Sequence, residues 1–297
     1  MPHEKLLNLM KEIGIVAKMT VKEWLDDNMM LHAAGLAFYT IFSLAPLLIL
    51  VIAFTGFIFG EQAASGQLSL YMEEVIGAEL ANTVQNFVNA VSQTGQGTFA
   101  TITSTIVLIF AATTVLTQLK ESLNTIWDVD KSKRQPIKMF FINRLLGFLL
   151  IIIFSLLLIS TFFISTLVSF ISPFLEEIFP AGIRIYFIIN GFIFLSISTI
   201  LFSIIYRLLP DIQVRWSDVL PGAFITSVLF LLGRTAVSFY LSNAAMASTY
   251  GAAGSFVIFL IWVYYNVMVI FLGAEFTQIW TKRYGSDIKP GMFLKKD

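Results

Sequence analysis

Six stretches of this chain are almost wholly apolar: 31–59, 99–119, 145–171, 185–208, 219–241 and 255–280. A hydrocarbon core ~30 Å thick takes about 20 helical residues to cross, and each stretch is long enough. All are uncharged except for Arg207 at the very end of the fourth, Arg234 in the fifth and Glu275 in the sixth. Apolar and polar positions do not alternate with a period of two, which argues against a membrane barrel. The pattern predicts an all-α, polytopic membrane protein with six transmembrane helices and one membrane domain over 1–297. The segment before the first run (1–30) places Leu6, Met10, Ile13, Ala17, Val21 and Trp24 near one helical face. It reads as an amphipathic helix on the membrane surface or, alternatively, as a partner-binding helix. In 60–98 the apolar positions Leu68, Met72, Val75, Ile76, Leu80, Val84, Phe87, Val88 and Val91 recur at helical spacing, broken near Gly77. Two short helices over one mouth of the bundle are expected there. Leu119, Leu123, Ile126 and Trp127 predict a short amphipathic elbow, and Pro136 suits the first turn of the next helix.

Charge then orients the pattern. Lys5, Lys11, Lys18 and Lys22 precede the first run, and no Lys or Arg follows until Lys120. Lys120, Lys131, Lys133, Arg134, Lys138 and Arg144 lie between runs two and three, Arg207 and Arg215 between four and five. Lys282, Arg283, Lys289, Lys295 and Lys296 form the tail (281–297). The alternate segments hold only Arg184, so the distribution is seventeen against one with Arg234 inside a span. Under the positive-inside rule both termini are cytoplasmic, and 60–98, 172–184 and 242–254 are external. The first apolar run follows a long mixed segment and exceeds a signal-peptide core, so it reads as a span. Composition agrees: 57% hydrophobic and 13% charged, against about 25% charged for an average soluble domain. Net charge is zero, so nothing suggests an overall basic nucleic-acid binder. Cys is absent, and His3 and His32 stand apart, so no disulfide, thiolate metal site or cysteine nucleophile is available.

Several segments carry a resemblance. They are Ala33-Ala34-Gly35-Leu36-Ala37-Phe38-Tyr39 leading into Phe42-Ser43-Leu44-Ala45-Pro46, then Leu123-Asn124-Thr125-Ile126-Trp127, and Tyr206-Arg207-Leu208-Leu209-Pro210. Trp216-Ser217-Asp218-Val219-Leu220-Pro221-Gly222-Ala223, Tyr250-Gly251-Ala252-Ala253-Gly254-Ser255 and Gly273-Ala274-Glu275-Phe276 complete the set. In this order and spacing, over roughly 20 to 283, the chain resembles the YihY/BrkB family of bacterial inner-membrane proteins. The resemblance implies a six-span plasma-membrane protein. It also carries the family's former description as ribonuclease BN and its link to envelope properties and virulence.

The residues themselves narrow the chemistry. Pro46 lacks an N–H and clashes with the carbonyl four residues back, so it should kink the first span, with Ser43 placed to satisfy a freed carbonyl. Gly56 with Gly60, and Gly251 with Gly254, are small faces for helix packing and offer oligomer contacts. Arg234 sits ~22 Å into its span at 1.5 Å per residue, with Asn190 at similar height. It either snorkels to outer phosphates or lines a cavity that contacts an anion. Tyr264, Tyr265 and Asn266 either line a polar cavity or bridge helices. Glu275 matches Arg207 or Arg144 in depth, so an inner ion pair is expected there. A metal-dependent nuclease needs clustered His, Asp or Glu; His3 and His32 are isolated, and Asp128 with Asp130 is the carboxylate pair weighed for that role. No catalytic, cofactor or metal residues are assigned. The reading is a transporter of lipid, amphiphile or organic anion in envelope homeostasis, with membrane lipids as partners. The alternative is a non-transporting scaffold or envelope-assembly partner.

Overall fold

The computed structural model describes residues 2–59, 98–130, 142, 144–153, 155–157, 182–243 and 246–290, with short pieces between 65 and 86. It is built of helices α1 (Pro2–Asp26), α2 (Met29–Phe59), α3 (Thr98–Ile126), α4 (Gly182–Leu208), α5 (Trp216–Asn243) and α6 (Met246–Tyr284). Strands β1 (Ile212–Gln213) and β2 (Lys289–Pro290) pair antiparallel, Ile212 with Pro290 and Gln213 with Lys289. Five of the six apolar runs coincide with α2 to α6. The remaining run, 145–171, is described only in part, as a helical stretch Arg144–Leu157. Pro136 and much of 60–98 lie outside the described residues; within the latter, Leu68, Met72, Ala81 and Val84 are buried.

Among the described residues, three helical segments are long and apolar enough to cross a membrane: Gly191–Leu208, Trp216–Gly233 and Phe259–Tyr284. The bent α2 makes a fourth if it is one span, turning by 50° between Met29–Leu44 and Pro46–Ile52. The bend falls where Pro46 removes a helical hydrogen bond, and Ser43 is buried beside it. Helix α3 carries the uncharged apolar run 99–119, punctuated by threonines. Thr113, Thr114 and Thr117 return their hydroxyls to carbonyls four residues back, Ile109, Phe110 and Thr113.

The core is a stack of helices rather than a surface pair of layers. Helices α4, α5 and α6 pack in sequence, α2 lies against α3 and α6, and α1 crosses the end of α6. Phe202, Tyr206, Phe259, Val263 and Phe271 fill the centre with Leu36, Leu123 and Ile126. Exposed Phe38, Phe42, Phe192, Leu232 and Ile261 clothe the outside. Apolar rings turned outward around buried polar groups suit a lipid solvent.

Helix α1 packs on the bundle through Val16 and Thr20, both buried. The predicted apolar face is rotated from this one: Ala17 and Val21 are exposed. Leu119, Leu123, Ile126 and Trp127 are not a separate elbow but the last turns of α3 and the residue after it. Asn28 and Asp128 take left-handed φ values of 54° and 53°. Asn and Asp tolerate this region better than other side chains. The two residues turn the chain sharply between α1 and α2 and beyond α3, which sets Asp27 and Asp128 beside the end of α6.

Candidate functional site

Helix α6 presents two faces with different chemistry. On one, Gly273 and Thr277 meet α5. A Cβ on Gly273 would lie 1.7 Å from Thr226 Oγ1, and one on Gly222 would lie 1.8 Å from Thr277 Oγ1. Only hydrogen in place of Cβ lets these backbones approach so closely. Tyr206 reaches the same crossing from α4; its hydroxyl donates to the Ile270 carbonyl at 2.7 Å and pairs with Thr226 Oγ1 at 2.8 Å. Tyr206, Gly222 and Gly273, from three separate sequence motifs, thus meet at one point.

The other face of α6 carries Glu275, Gln278 and Lys282, spaced three and four apart. Glu275 is fully buried, at 0% exposure. Neither of its carboxylate oxygens has a hydrogen-bond donor among the described residues. Its charged surroundings are Asp27, Glu23 and Asp128, all acidic. Gln278 Nε2 donates to the Ile126 carbonyl and to Asp128 Oδ2. Lys282 Nζ lies 3.1 Å from Asp128 Oδ2. His32 Nδ1 is 3.1 Å from Ser122 Oγ. Asp27 is held above the ordinary aspartate range, first by burial and then by the charges of Asp128 and Glu23. A hydrogen bond with Glu275 and the nearby His32 act in the opposite direction.

The expected inner ion pair is not formed. Arg207 stacks its guanidinium 4.3 Å over Trp216. Arg144 lies 3.6 Å over Phe110 and donates to the Phe110 carbonyl at 2.7 Å and to Thr113 Oγ1. Depth matched these residues to Glu275, but the direction each faces does not. The buried ion pair lies elsewhere: Lys120 Nζ is 2.7 Å from Asp211 Oδ1. Asn124 brackets the same aspartate, donating to Oδ2 at 3.1 Å and accepting from the Asp211 N–H at 2.7 Å. The Asn124 of one motif thereby locks the loop that follows the Tyr206–Pro210 motif.

Tyr265 bridges helices: its hydroxyl donates to the Leu229 carbonyl of α5 at 3.2 Å, and its ring covers Gly233. Asn266 donates to the Trp262 carbonyl of its own helix at 2.7 Å, and its Oδ1 is buried without a donor among the described residues. Tyr264 is half-buried and packs against the core. Arg234 and Asn190 lie in α5 and α4, but their side chains fall outside what the structure describes, as do Gly60 and the packing of Gly56, Gly251 and Gly254. A cavity of about 330 Å³ opens beside Arg207, lined also by Gln213, Val214, Arg215, Ser286 and Asp287. Asp218 closes its margin by accepting from the Ser286 hydroxyl at 2.7 Å and its N–H at 3.1 Å. Among the described residues no group of three His, Cys, Asp or Glu is arranged to hold a metal.

Apolar spans around a polar, partly unsatisfied interior define an integral membrane protein of the helical, polytopic class. The chain belongs to the family described as "Virulence factor BrkB", whose profile matches residues 20–294. It is 22% identical over 253 residues to a UPF0761 membrane protein of Ralstonia nicotianae, covering 84% of this chain and 55% of that one. Comparable proteins of Mannheimia succiniciproducens and Aeromonas salmonicida are 25% and 27% identical, over 86% and 89% of this chain and 85% and 88% of theirs. The chain therefore spans little more than half the length of some curated relatives. No solved structure matches it.

Proposed function

We propose that this protein is a six-span transporter of the bacterial inner membrane, with both termini cytoplasmic and a lipid, amphiphile or organic anion as cargo. The observation that carries the reading is Glu275. An ionisable side chain inside a membrane helix is costly and marks a pathway or relay by default. Glu275 has no donor among the described residues and three acids for neighbours. A purely structural carboxyl would be expected to hold a partner, as Asp211 does. Arg234, high in α5, is the proposed anion contact, because its planar fork grips carboxylate or phosphate through two hydrogen bonds.

Flux tests the transport reading. Proteoliposomes holding the full chain should move a fluorescent phospholipid between leaflets or release an entrapped organic anion, and Glu275→Ala should lose that movement. Protein-free rates in both assays would contradict it. Topology is tested by single cysteines. Ser92→Cys should react with an impermeant reagent on whole cells and Ser132→Cys should not; the reverse pattern would overturn the orientation.

One observation favours a second reading, a non-transporting scaffold. Lys120, Asp211 and Asn124 satisfy one another, and Tyr206 and Thr226 do likewise. A scaffold predicts that such pairing extends throughout the interior and that Glu275 is replaceable. Neither reading includes a catalytic step. Metal-dependent RNA cleavage by rigorously purified protein, lost in Asp128→Asn, would contradict both.

A further inference from the structure

Two carboxylates cannot hydrogen-bond to each other, because each only accepts. Asp27 nevertheless lies beside Glu275, whose two oxygens are buried without a donor among the described residues. That contact becomes a bond only when one of them carries a proton. Glu275 is sealed from solvent at 0% exposure, while Asp27, in the turn between α1 and α2, is partly accessible. Among the described residues, the charged groups around the pair are these. Glu23 approaches from α1 and Asp128 from the end of α3, both acidic. His32 of α2 lies near Asp27 and contacts Ser122. Lys282 of α6 is engaged by Asp128. On the remaining sides Lys120 is paired with Asp211, Arg207 lies over Trp216, and Asp218 binds Ser286. No described cation reaches Glu275, and a metal-holding cluster is absent among the described residues. The ligand that suits two neighbouring carboxyls, with no third metal-ligating group arranged beside them among the described residues, is a proton.

We propose that Glu275 and Asp27 form a proton-binding site, in which the Glu275 carboxyl donates its O–H to the Asp27 carboxylate and the pair carries one negative charge. Asp27 is the exchange point with water. It lies on the two-residue turn at Asn28, so a small movement of α1 separates the acids and releases the proton to the side that carries the α1–α2 turn. Like-charged acids sharing one proton are the familiar outcome where two carboxyls occupy one site. Helix α1 is tied to the far end of α6 by Arg283 and Glu12, 2.7 Å apart, so proton occupancy and the seating of α1 are linked. Use of this site to drive cargo rests on the transport reading; the site itself does not.

Infrared difference spectroscopy on the full chain in lipid nanodiscs, scanned from acid to alkaline pH, tests it. Wild type should show a protonated-carboxyl C=O band at neutral pH. Glu275→Gln should lose that band, and Asp27→Asn should shift it because the acceptor changes. Each variant is compared with wild type for monodisperse elution, and Asp27→Asn serves should Glu275→Gln not fold. An unchanged band in both variants, or none in wild type, would overturn the site. Proteoliposome flux under a pH gradient separates the two proposals. A band without proton-dependent flux keeps the site and ends the coupling; flux without the band does the reverse.

Discussion

Lys120 and Asp211 meet at 2.7 Å with side chains only 2% and 4% exposed. They join the C-terminal part of α3 to the loop between α4 and β1. Two desolvated charges are stable only as a pair with further hydrogen bonds, and Asn124 supplies them. Removing one partner leaves the other charged and buried. Lys120→Met or Asp211→Leu alone should therefore cost about 3–5 kcal/mol, read as a lower melting midpoint of purified protein and reduced membrane yield. The double variant should recover much of the loss. Equal damage in the single and double variants would show that the pair is not the cause.

The α5–α6 crossing admits no side chain at Gly222 or Gly273. Added methyl groups would strike Thr277 and Thr226, and Gly273 also lies against the Tyr206 hydroxyl. Gly222→Ala and Gly273→Ala should each destabilise by about 1–3 kcal/mol, the usual range for overpacking. Gly191→Ala, with nothing within 4 Å of the new atom, is the control and should be neutral or slightly stabilising. Melting of the three variants side by side checks this.

Arg234 is proposed as an anion contact because Glu275, the carboxylate within the six predicted runs, is expected at a different depth. Arg234→Lys should impair function although charge is kept, and Arg234→Leu should abolish function with membrane insertion intact. The measurement is complementation in an envelope-stress or export assay that responds to deleting the gene. Full activity of Arg234→Leu would remove Arg234 from the site. Full activity of Arg234→Lys would indicate that it only snorkels.

Most of the helical layout was legible because desolvation leaves a long uncharged run few alternatives. The bend of α2 falls on Pro46, the one residue there that cannot donate to the helix ladder. The site was less legible. Lys120 reads in sequence as one more cation at a span border, yet it is buried; its partner lies in a loop 91 positions away, and no periodicity announces it. Glu275 stood out as an intramembrane charge, but depth alone assigned it to Arg207 and Arg144. Azimuth around α6 decided otherwise and faced it toward Asp27, Glu23 and Asp128. The signal that could have found Asp27 and Asp128 is their position at Asn28 and Asp128, polar breaks where both helices must turn. Small-residue faces were expected at Gly56, Gly60, Gly251 and Gly254, whose packing lies outside the described residues; among those described, the close α5–α6 crossing uses Gly222 and Gly273.

Asp27 gives the fold a pH dependence of known sign. Burial and its acidic neighbours raise it, so the folded state holds its proton more tightly than the unfolded chain. The stability it contributes is complete below the ordinary aspartate range and is lost as pH rises through the raised value. Melting midpoints of wild type should fall across that window, and Asp27→Asn should flatten the fall. A wild-type midpoint that rises through the same window, with Asp27→Asn unchanged, would contradict the assignment.

The central claim is that Glu275 is kept for function at the expense of stability. Glu275→Gln preserves shape, supplies its own donor and removes an acid from among three others. Its melting midpoint should equal or exceed that of wild type, while it fails to complement the gene deletion. A Glu275→Gln protein that complements fully, or that melts well below wild type, would contradict the account.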